Sequence, residues 1–401
     1  MKVVIEKLDH FGNGLARVEG KIVFVPKTIP GDIVEIDIVK DNKKFQEGKV
    51  INYIEKKERH SICPYSNICG GCHLIDLKYD DQLKYKENKV KELFKKVLNI
   101  DIDIKDVISG NNYNYRNKIS LHVKNKKIGF YSEESHNLVE IDNCVITNKE
   151  INLVIKNLKD IVKDSDIEEV MIRNHNGILL DIKGKINKEE LLNSFSDVDV
   201  IYLNDKLIKG EGFVISNILD KKFKVSSKSF FQVNNEVCAK IFDNVRNYIK
   251  GKNYEKALDL YCGTGIIGIL ISDLVESVTG IEVVKDAVIN ANDNKELNGI
   301  NNINFICDKV ENRINEFSDI DLIIVDPPRS GLDSKSIDNI LRIGARDVIY
   351  ISCNPNTLVR DLKELATLYD IKEISIADMF PNTYHVETIV ILEKSVGKKE
   401  D

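Results

Sequence analysis

Ala257–Gly268 reads ALDLYCGTGIIG. Ala257–Leu260 is a short apolar run that leads directly into Gly263, Gly265 and Gly268, spaced G-x-G-x-x-G, and then into a further apolar segment. Strand, glycine-rich turn and helix in that order open a doubly wound, mostly parallel sheet. Glycine permits the tight turn and lets a ligand come close to the backbone. Toward the C-terminus, β-prone runs recur at Val278–Ile281, Ile303–Ile306, Leu322–Val325, Ile349–Ile351, Lys372–Ala377 and Glu387–Leu392. Several end on reactive groups: Glu282, Cys307-Asp308, Asp326-Pro327-Pro328-Arg329, and Cys353 within Val348–Pro355, VIYISCNP. Ligands of open parallel sheets bind beyond the carboxyl ends of the strands. These groups are therefore expected to face a cleft, although position alone lets Cys353 read equally well as a buried packing residue.

The glycine spacing alone suits any adenosine-containing cofactor, and Glu282, closing the second strand, suits ribose hydroxyls. A nicotinamide oxidoreductase also fits the glycines, but no hydride-transfer site accompanies them. The fourth strand ends in DPPR, which lacks the aromatic residue that DPPY or NPPY sites place against planar nitrogens. A thiol closes the fifth strand instead, and that pairing suits methylation of carbon. Uracil C5 is a weak nucleophile until a thiolate adds at C6, after which a base must remove the C5 proton so that the thiol can leave. Cys353 is the candidate nucleophile and Glu387, in YHVETIV, the candidate base; by position alone Glu387 reads more readily as a surface carboxylate at a strand start. A free thiol ionises near pH ~8.5, so a polar or cationic neighbour is needed, and Arg329 is the candidate.

With 401 residues the chain should form two or three domains, and its net charge of −6 does not mark it as a nucleic-acid binder. Residues 78–128, however, hold 13 Lys and Arg against 7 Asp and Glu, a local basic region. No apolar run is long enough to span a membrane and MKVVIEKLDH carries no leader pattern, so a cytoplasmic protein is expected. Eight cysteines in such a chain suggest metal or catalytic use. Residues 1–57 alternate short apolar runs with turns, as a small antiparallel barrel does. CPYSNICGGC then brings Cys63, Cys69 and Cys72 within ten residues, flanked by His60 and His73, with Cys144 as the next cysteine in the chain. That spacing, with a distant fourth thiol, favours a [4Fe–4S] cluster, with zinc as the alternative. Residues 77–98 read as an amphipathic helix on Leu83, Val90, Leu93 and Val97, with a Lys-rich outer face. Tyr113, Tyr115 and Arg116 suit either base stacking or sheet packing. Residues 119–230 alternate strands with one or two helices, one of them at about 148–163.

FFQVN, DLYCGTGIIG, DPPRSGL, SCNP and HVET, in this order, resemble the RNA (uracil-5-)-methyltransferase family. FGNGLARVEGKIVFVPKTIPGD resembles a TRAM domain, an OB-like RNA-binding barrel, and with the cysteine loop it resembles the 23S ribosomal RNA branch. The resemblance implies three domains: a TRAM barrel (1–57), a central α+β domain with the iron–sulfur loop (58–230), and a Rossmann-like class I methyltransferase domain (231–401). It implies Cys353 as nucleophile and Glu387 as base. It implies that Gln232, Tyr261, Glu282 and Asp326 contact S-adenosylmethionine, and that Cys63, Cys69, Cys72 and Cys144 hold a [4Fe–4S] cluster; its distance in sequence from Cys353 leads us to expect a structural or RNA-positioning role. The implied partner is ribosomal RNA presenting a flipped-out uridine, with no stable protein partner. In the resemblance the transfer-RNA branch lacks the loop and the barrel, which counts against that substrate. A non-catalytic iron–sulfur factor that only binds RNA would not need Cys353 and Glu387.

Overall fold

The structure, a computed structural model, describes residues 1–133, 135 and 137–396. Lys2–Val4, Lys7–Leu8, Gly14–Val18, Lys21–Val25, Ile33–Asp41 and Phe45–Glu55 form one six-stranded sheet. Alternation along these strands turns Val3, Ala16, Val23, Val25, Val34 and Ile36 into one small core. A seven-stranded sheet follows, from Leu138–Glu140 at one edge to Lys206–Lys209 at the other. The helix Lys149–Ile161 packs on it through Ile151, Val154, Ile155 and Leu158, a stripe at three- and four-residue spacing.

The third sheet carries the reactive strand ends. Its order is Ile303–Cys307, Val275–Glu282, Tyr254–Leu260, Leu322–Val325, Asp347–Ser352, Glu387–Lys394, Tyr369–Ala377 and Val107–Ile108. The first five strands are mutually parallel, and Glu387–Lys394 runs antiparallel to both its neighbours. Every strand expected from the sequence in this half is present. The central strands Leu322–Val325 and Asp347–Ser352 are buried along their whole length, because helices cover both faces. The order of strands reverses between Tyr254–Leu260 and Leu322–Val325, the switch point where such sheets open a crevice.

The helix Tyr79–Leu98 differs from its sequence reading. Leu83 is only half-buried and Val97 is exposed, while Gln82, Lys86 and Lys89 are buried beside Val90, Leu93 and Phe94. The apolar end of that face joins the core of the C-terminal sheet. The polar end covers the loop 378–386, whose backbone carbonyls require donors. Gln82 and Asn382 exchange two hydrogen bonds, from Gln82 Nε2 to Asn382 Oδ1 at 3.0 Å and from Asn382 N to Gln82 Oε1 at 2.8 Å. Lys89 donates to Tyr384 O at 3.0 Å. Lys86 is ion-paired with buried Asp378 and donates to Phe380 O at 3.1 Å. Helical spacing cannot separate such lysines from solvated ones. Replacement Lys86→Met leaves Asp378 buried without its cation and is expected to cost about 3–5 kcal/mol in urea unfolding; a loss below about 1 kcal/mol would show that the pair is dispensable.

Candidate active site and cysteine centre

Beyond the carboxyl ends of the parallel strands lies a cavity of about 1020 Å³. Gln232, Tyr261, Glu282, Asp326, Cys353 and Glu387 all line it, so the six residues expected at the catalytic and cofactor sites stand around one space. Strand register explains one pair. Ser352 faces Thr388 across antiparallel strands, which puts Cys353 and Glu387 at neighbouring positions just where that ladder ends. The turn holding Cys353 is tied on both sides. Asn354 N donates to Ser352 Oγ at 3.1 Å, and Asn354 Nδ2 donates to Arg329 O at 3.0 Å. Asn354 also caps the helix Pro355–Leu365, whose first residue is the proline that tolerates that place. Asp361, buried in that helix, accepts from Tyr350 Oη at 2.7 Å and Leu332 N at 2.8 Å and so fixes the loop after DPPR.

The glycine-rich turn joins Tyr254–Leu260 to the short helix Ile266–Ile271. Gly265 has φ +78°, and a Cβ there would lie 2.6 Å from the Phe305 ring. Glu282 accepts from Gly263 N at 3.1 Å and Val284 N at 2.8 Å, which orients its carboxylate over the turn. Tyr261 holds a left-handed backbone, φ +62°, and its hydroxyl lies 3.2 Å from Ser336 Oγ. Phe380, His385 and Arg329 line the same cavity. Of these, Phe380 and His385 escaped the sequence reading, although His385 stands two residues before Glu387 in HVET.

Burial favours the uncharged forms of the reactive groups. It raises Glu387 to about 8, with Asp326 raising it further and Arg329 and Lys86 opposing. Burial likewise raises Asp326 to about 7. The thiol of Cys353 is pushed up to about 11, first by burial, then by the charges of Glu387 and Asp326, while Arg329 pulls it down.

The four cysteines expected at the cluster also converge. Cys63, Cys69, Cys72 and Cys144 line one cavity of about 440 Å³, together with Arg116 and Lys118. Burial raises the thiol of Cys72, and the neighbouring Cys144, Cys69 and Cys63 raise it further. Lys27, in the turn after Lys21–Val25, donates to Cys69 O at 3.1 Å and Cys72 O at 3.3 Å. Asn152 pins Cys144 by accepting from its N at 2.8 Å and donating to its O at 3.1 Å. Among the described residues no group of three or more His, Cys, Asp or Glu is gathered closely enough to hold a single metal ion. Tyr115 is buried and donates to Pro381 O at 3.0 Å, so of its two readings packing is the one observed.

Comparison with known proteins gives the family. Residues 201–395 match the tRNA (Uracil-5-)-methyltransferase family and residues 1–51 the TRAM domain. An uncharacterized RNA methyltransferase of Halalkalibacterium halodurans is 31% identical over 98% of this chain and 96% of its own. Another, from Clostridium acetobutylicum, is 33% identical over 98% and 96%. The chain belongs to the RNA uracil-5-methyltransferase family. It also superposes on a crystal structure of Pyrococcus abyssi tRNA (uracil-54, C5)-methyltransferase in complex with S-adenosyl-L-homocysteine. The TM-score is 0.81 at 27% identity, over 98% of this chain and 100% of the other. A transfer-RNA enzyme thus matches nearly the whole chain, barrel included, which removes the barrel as an argument against that substrate. Among the described residues no helix of the methyltransferase is long and apolar enough to cross a membrane.

The raised carboxyls set a pH dependence. Glu387 is protonated in the fold at pH values where the unfolded chain is ionised, so its stabilising share is complete below about pH 4.5 and is lost as pH rises through about 8. Glu387→Gln removes that titration. The variant should therefore gain thermal stability relative to the parent protein as pH rises from about 5 to about 9, and a constant difference in Tm across that range would contradict the assignment.

Proposed function

We propose that the protein methylates C5 of a uridine in 23S ribosomal RNA through a transient bond between Cys353 and uracil C6. The observation that carries this reading is the sharing of one cavity by Cys353, Glu387 and the glycine turn. Gln232, Tyr261, Glu282 and Asp326 are proposed to hold S-adenosylmethionine, with Glu282 on the ribose hydroxyls and Asp326 also near the uracil. Adenosine recognition at an acidic strand end beside a glycine turn supports the assignment. The cofactor supplies an electrophilic methyl group on a sulfonium. A cytoplasmic location is part of this reading. So is the division into a barrel (1–57), a central domain (58–230) and a methyltransferase domain (231–401); the separate cores of the first two sheets support it, while the helix Tyr79–Leu98 and the strand Val107–Ile108 pack with the C-terminal sheet.

Cys353 acts as thiolate. Its sulfur bonds to C6, the C5–C6 π pair moves to C5, and C5 takes the methyl group while the carbon–sulfonium pair departs with sulfur. Glu387 then removes the C5 proton, the C5–C6 double bond re-forms, and the thiolate is expelled. The cavity walls alone keep the thiol protonated, and a positive charge brought into the cavity favours its ionisation. Arg329 already works in that direction. The target base must leave its stack to reach Cys353, which a loop permits more readily than a duplex.

Cys63, Cys69, Cys72 and Cys144 are proposed to ligate a [4Fe–4S] cluster. Their donor chemistry fits: four thiols line one cavity, with Arg116 and Lys118 to offset the negative charge of thiolates. One zinc ion would draw all four sulfurs to a single point at ~2.3 Å, whereas a cluster fills a volume and receives each sulfur at its own corner. A cavity of about 440 Å³ lined by all four thiols has room for the cluster. The cysteine cavity is distinct from the catalytic one, so a structural or RNA-positioning role is proposed. Transfer RNA is the second reading for the substrate, favoured by the name of the matching family and by the solved Pyrococcus abyssi enzyme.

A 5-fluorouridine RNA should form a denaturation-resistant adduct with the protein and none with Cys353→Ala; persistence of the adduct in that variant would remove Cys353 from the chemistry. Anaerobically purified protein should contain about four irons and about four sulfides per chain. Cys69→Ser should lose them and weaken RNA binding or folding more than methyl transfer itself; normal turnover of a short RNA by cluster-free protein would refute the positioning role. Mapping which RNA of a deletion strain loses 5-methyluridine decides between the two substrates.

A further inference from the structure

Another cavity, of about 280 Å³, lies between the central sheet, the hairpin Phe213–Ile218/Lys221–Ser226 and the start of the helix Asn235–Ile249. Nine of its thirteen lining residues are asparagine, drawn from positions as far apart as 111 and 235. Several of these amides serve the fold. Asn148 and Asn234 cap helices, and Asn117 Nδ2 donates to Gln232 O at 3.0 Å and Asn235 Oδ1 at 2.8 Å. Asn114, Asn176 and Asn217 are exposed, and their side chains form no hydrogen bond among the described residues.

The floor is likewise unsatisfied. Ser216 is fully buried, lines the cavity, and its Oγ has no partner; His175 Nε2 is buried and unpartnered too. Such groups cost free energy unless something binds them. Burial lowers His175 to about 3, with Arg173 lowering it further, so its ring is neutral. The single lining carboxylate, Glu236, is occupied by Lys240 Nζ at 2.8 Å and by Asn111 N at 3.1 Å.

Among the described residues no cation lines the cavity to hold a phosphate, and no free carboxylate lines it to hold a metal ion. Uncharged amide, hydroxyl and imidazole groups match the edges of a nucleobase, which offer donors and acceptors and no net charge. The volume, equal to roughly nine waters of the liquid, admits one heterocycle with part of its ribose. Asn235 follows Gln232 by three residues, so the two cavities are joined by no more than roughly 11 Å of chain. We propose that the asparagine-lined cavity binds an unstacked base of the substrate RNA that neighbours the target uridine. The proposal rests on the RNA methyltransferase reading above.

Asn176→Ala/Asn217→Ala removes two unpartnered exposed amides and should leave the fold and S-adenosylmethionine affinity unchanged; Ser216→Ala tests the floor. The probes are single-stranded 12-nucleotide homopolymers of A, C, G and U, titrated by fluorescence anisotropy across a salt series. The double variant should bind one or two of the four sequences about five- to tenfold more weakly. The slope of log affinity against log salt should not change, because no phosphate contact is lost. Ser216→Ala should weaken the same sequences. An equal loss for all four sequences, a shallower salt slope, or no loss would each overturn the proposal, the last meaning a cavity filled by solvent alone. A parent protein that binds S-adenosylmethionine but none of the four RNAs would overturn the RNA reading itself, a result distinct from any change in the variants.

Discussion

The pairing of Ser352 with Thr388 is the constraint on which the candidate site depends. Two strands far apart in sequence run antiparallel, and their register alone decides that a thiol and a carboxyl meet at the same end. A slip of one residue would turn every side chain of Glu387–Lys394 to the opposite face and remove Glu387 from the cavity. Such a slip is resisted on both sides of the strand. Buried Ile389, Val390, Ile391 and Leu392 leave no solvent-tolerant face, and Tyr369–Ala377 pairs along the other edge.

The loop 378–386 brings the chain into that strand at the correct height, and polar groups hold it from behind. Gln82, Lys86 and Lys89 grip Asn382, Asp378, Phe380 O and Tyr384 O, and the backbone N–H groups of His73 and Leu74 donate to Asn382 O at 3.0 and 2.9 Å. His73 directly follows Cys72. The cysteine loop and the loop leading to Glu387 are thus hydrogen-bonded one residue from a proposed cluster ligand. The ring of Tyr384 meets Phe11 from the turn between Lys7–Leu8 and Gly14–Val18, His73 from the cysteine loop and His385 from the wall of the catalytic cavity. This arrangement gives a physical path by which ordering of the cysteine loop supports the position of Glu387 without entering the catalytic cavity.

The parallel sheet and its strand-end residues were legible because two-sided burial forces unbroken apolar runs, and the reactive residues sit where those runs stop. The convergence of Cys144 with the cysteine loop was legible only from the scarcity of thiols, since nothing in the sequence between Cys72 and Cys144 points from one to the other. The burial of Gln82, Lys86 and Lys89 was not legible, because a lysine that caps a buried carbonyl and a lysine in water have the same helical spacing. The asparagine cavity was hidden for a different reason. Its residues come from loops, element ends and the strand Phe213–Ile218 between positions 111 and 236, and no periodicity joins residues that meet only through tertiary packing.

Electrostatics ties the fold to its proposed activity. Glu387 and Asp326 both have raised carboxyls, and Cys353 is raised beside them. The walls of the cavity therefore favour neutral acids near neutral pH, the opposite of what a thiolate nucleophile and an ionised base require. A bound cation reverses this, since it stabilises each ionised form and is itself stabilised by them. The sulfonium of the proposed methyl donor carries that charge. In the proposed reaction, binding of the donor and ionisation of Cys353 are then linked, so the thiol is helped to ionise when the methyl group is in place.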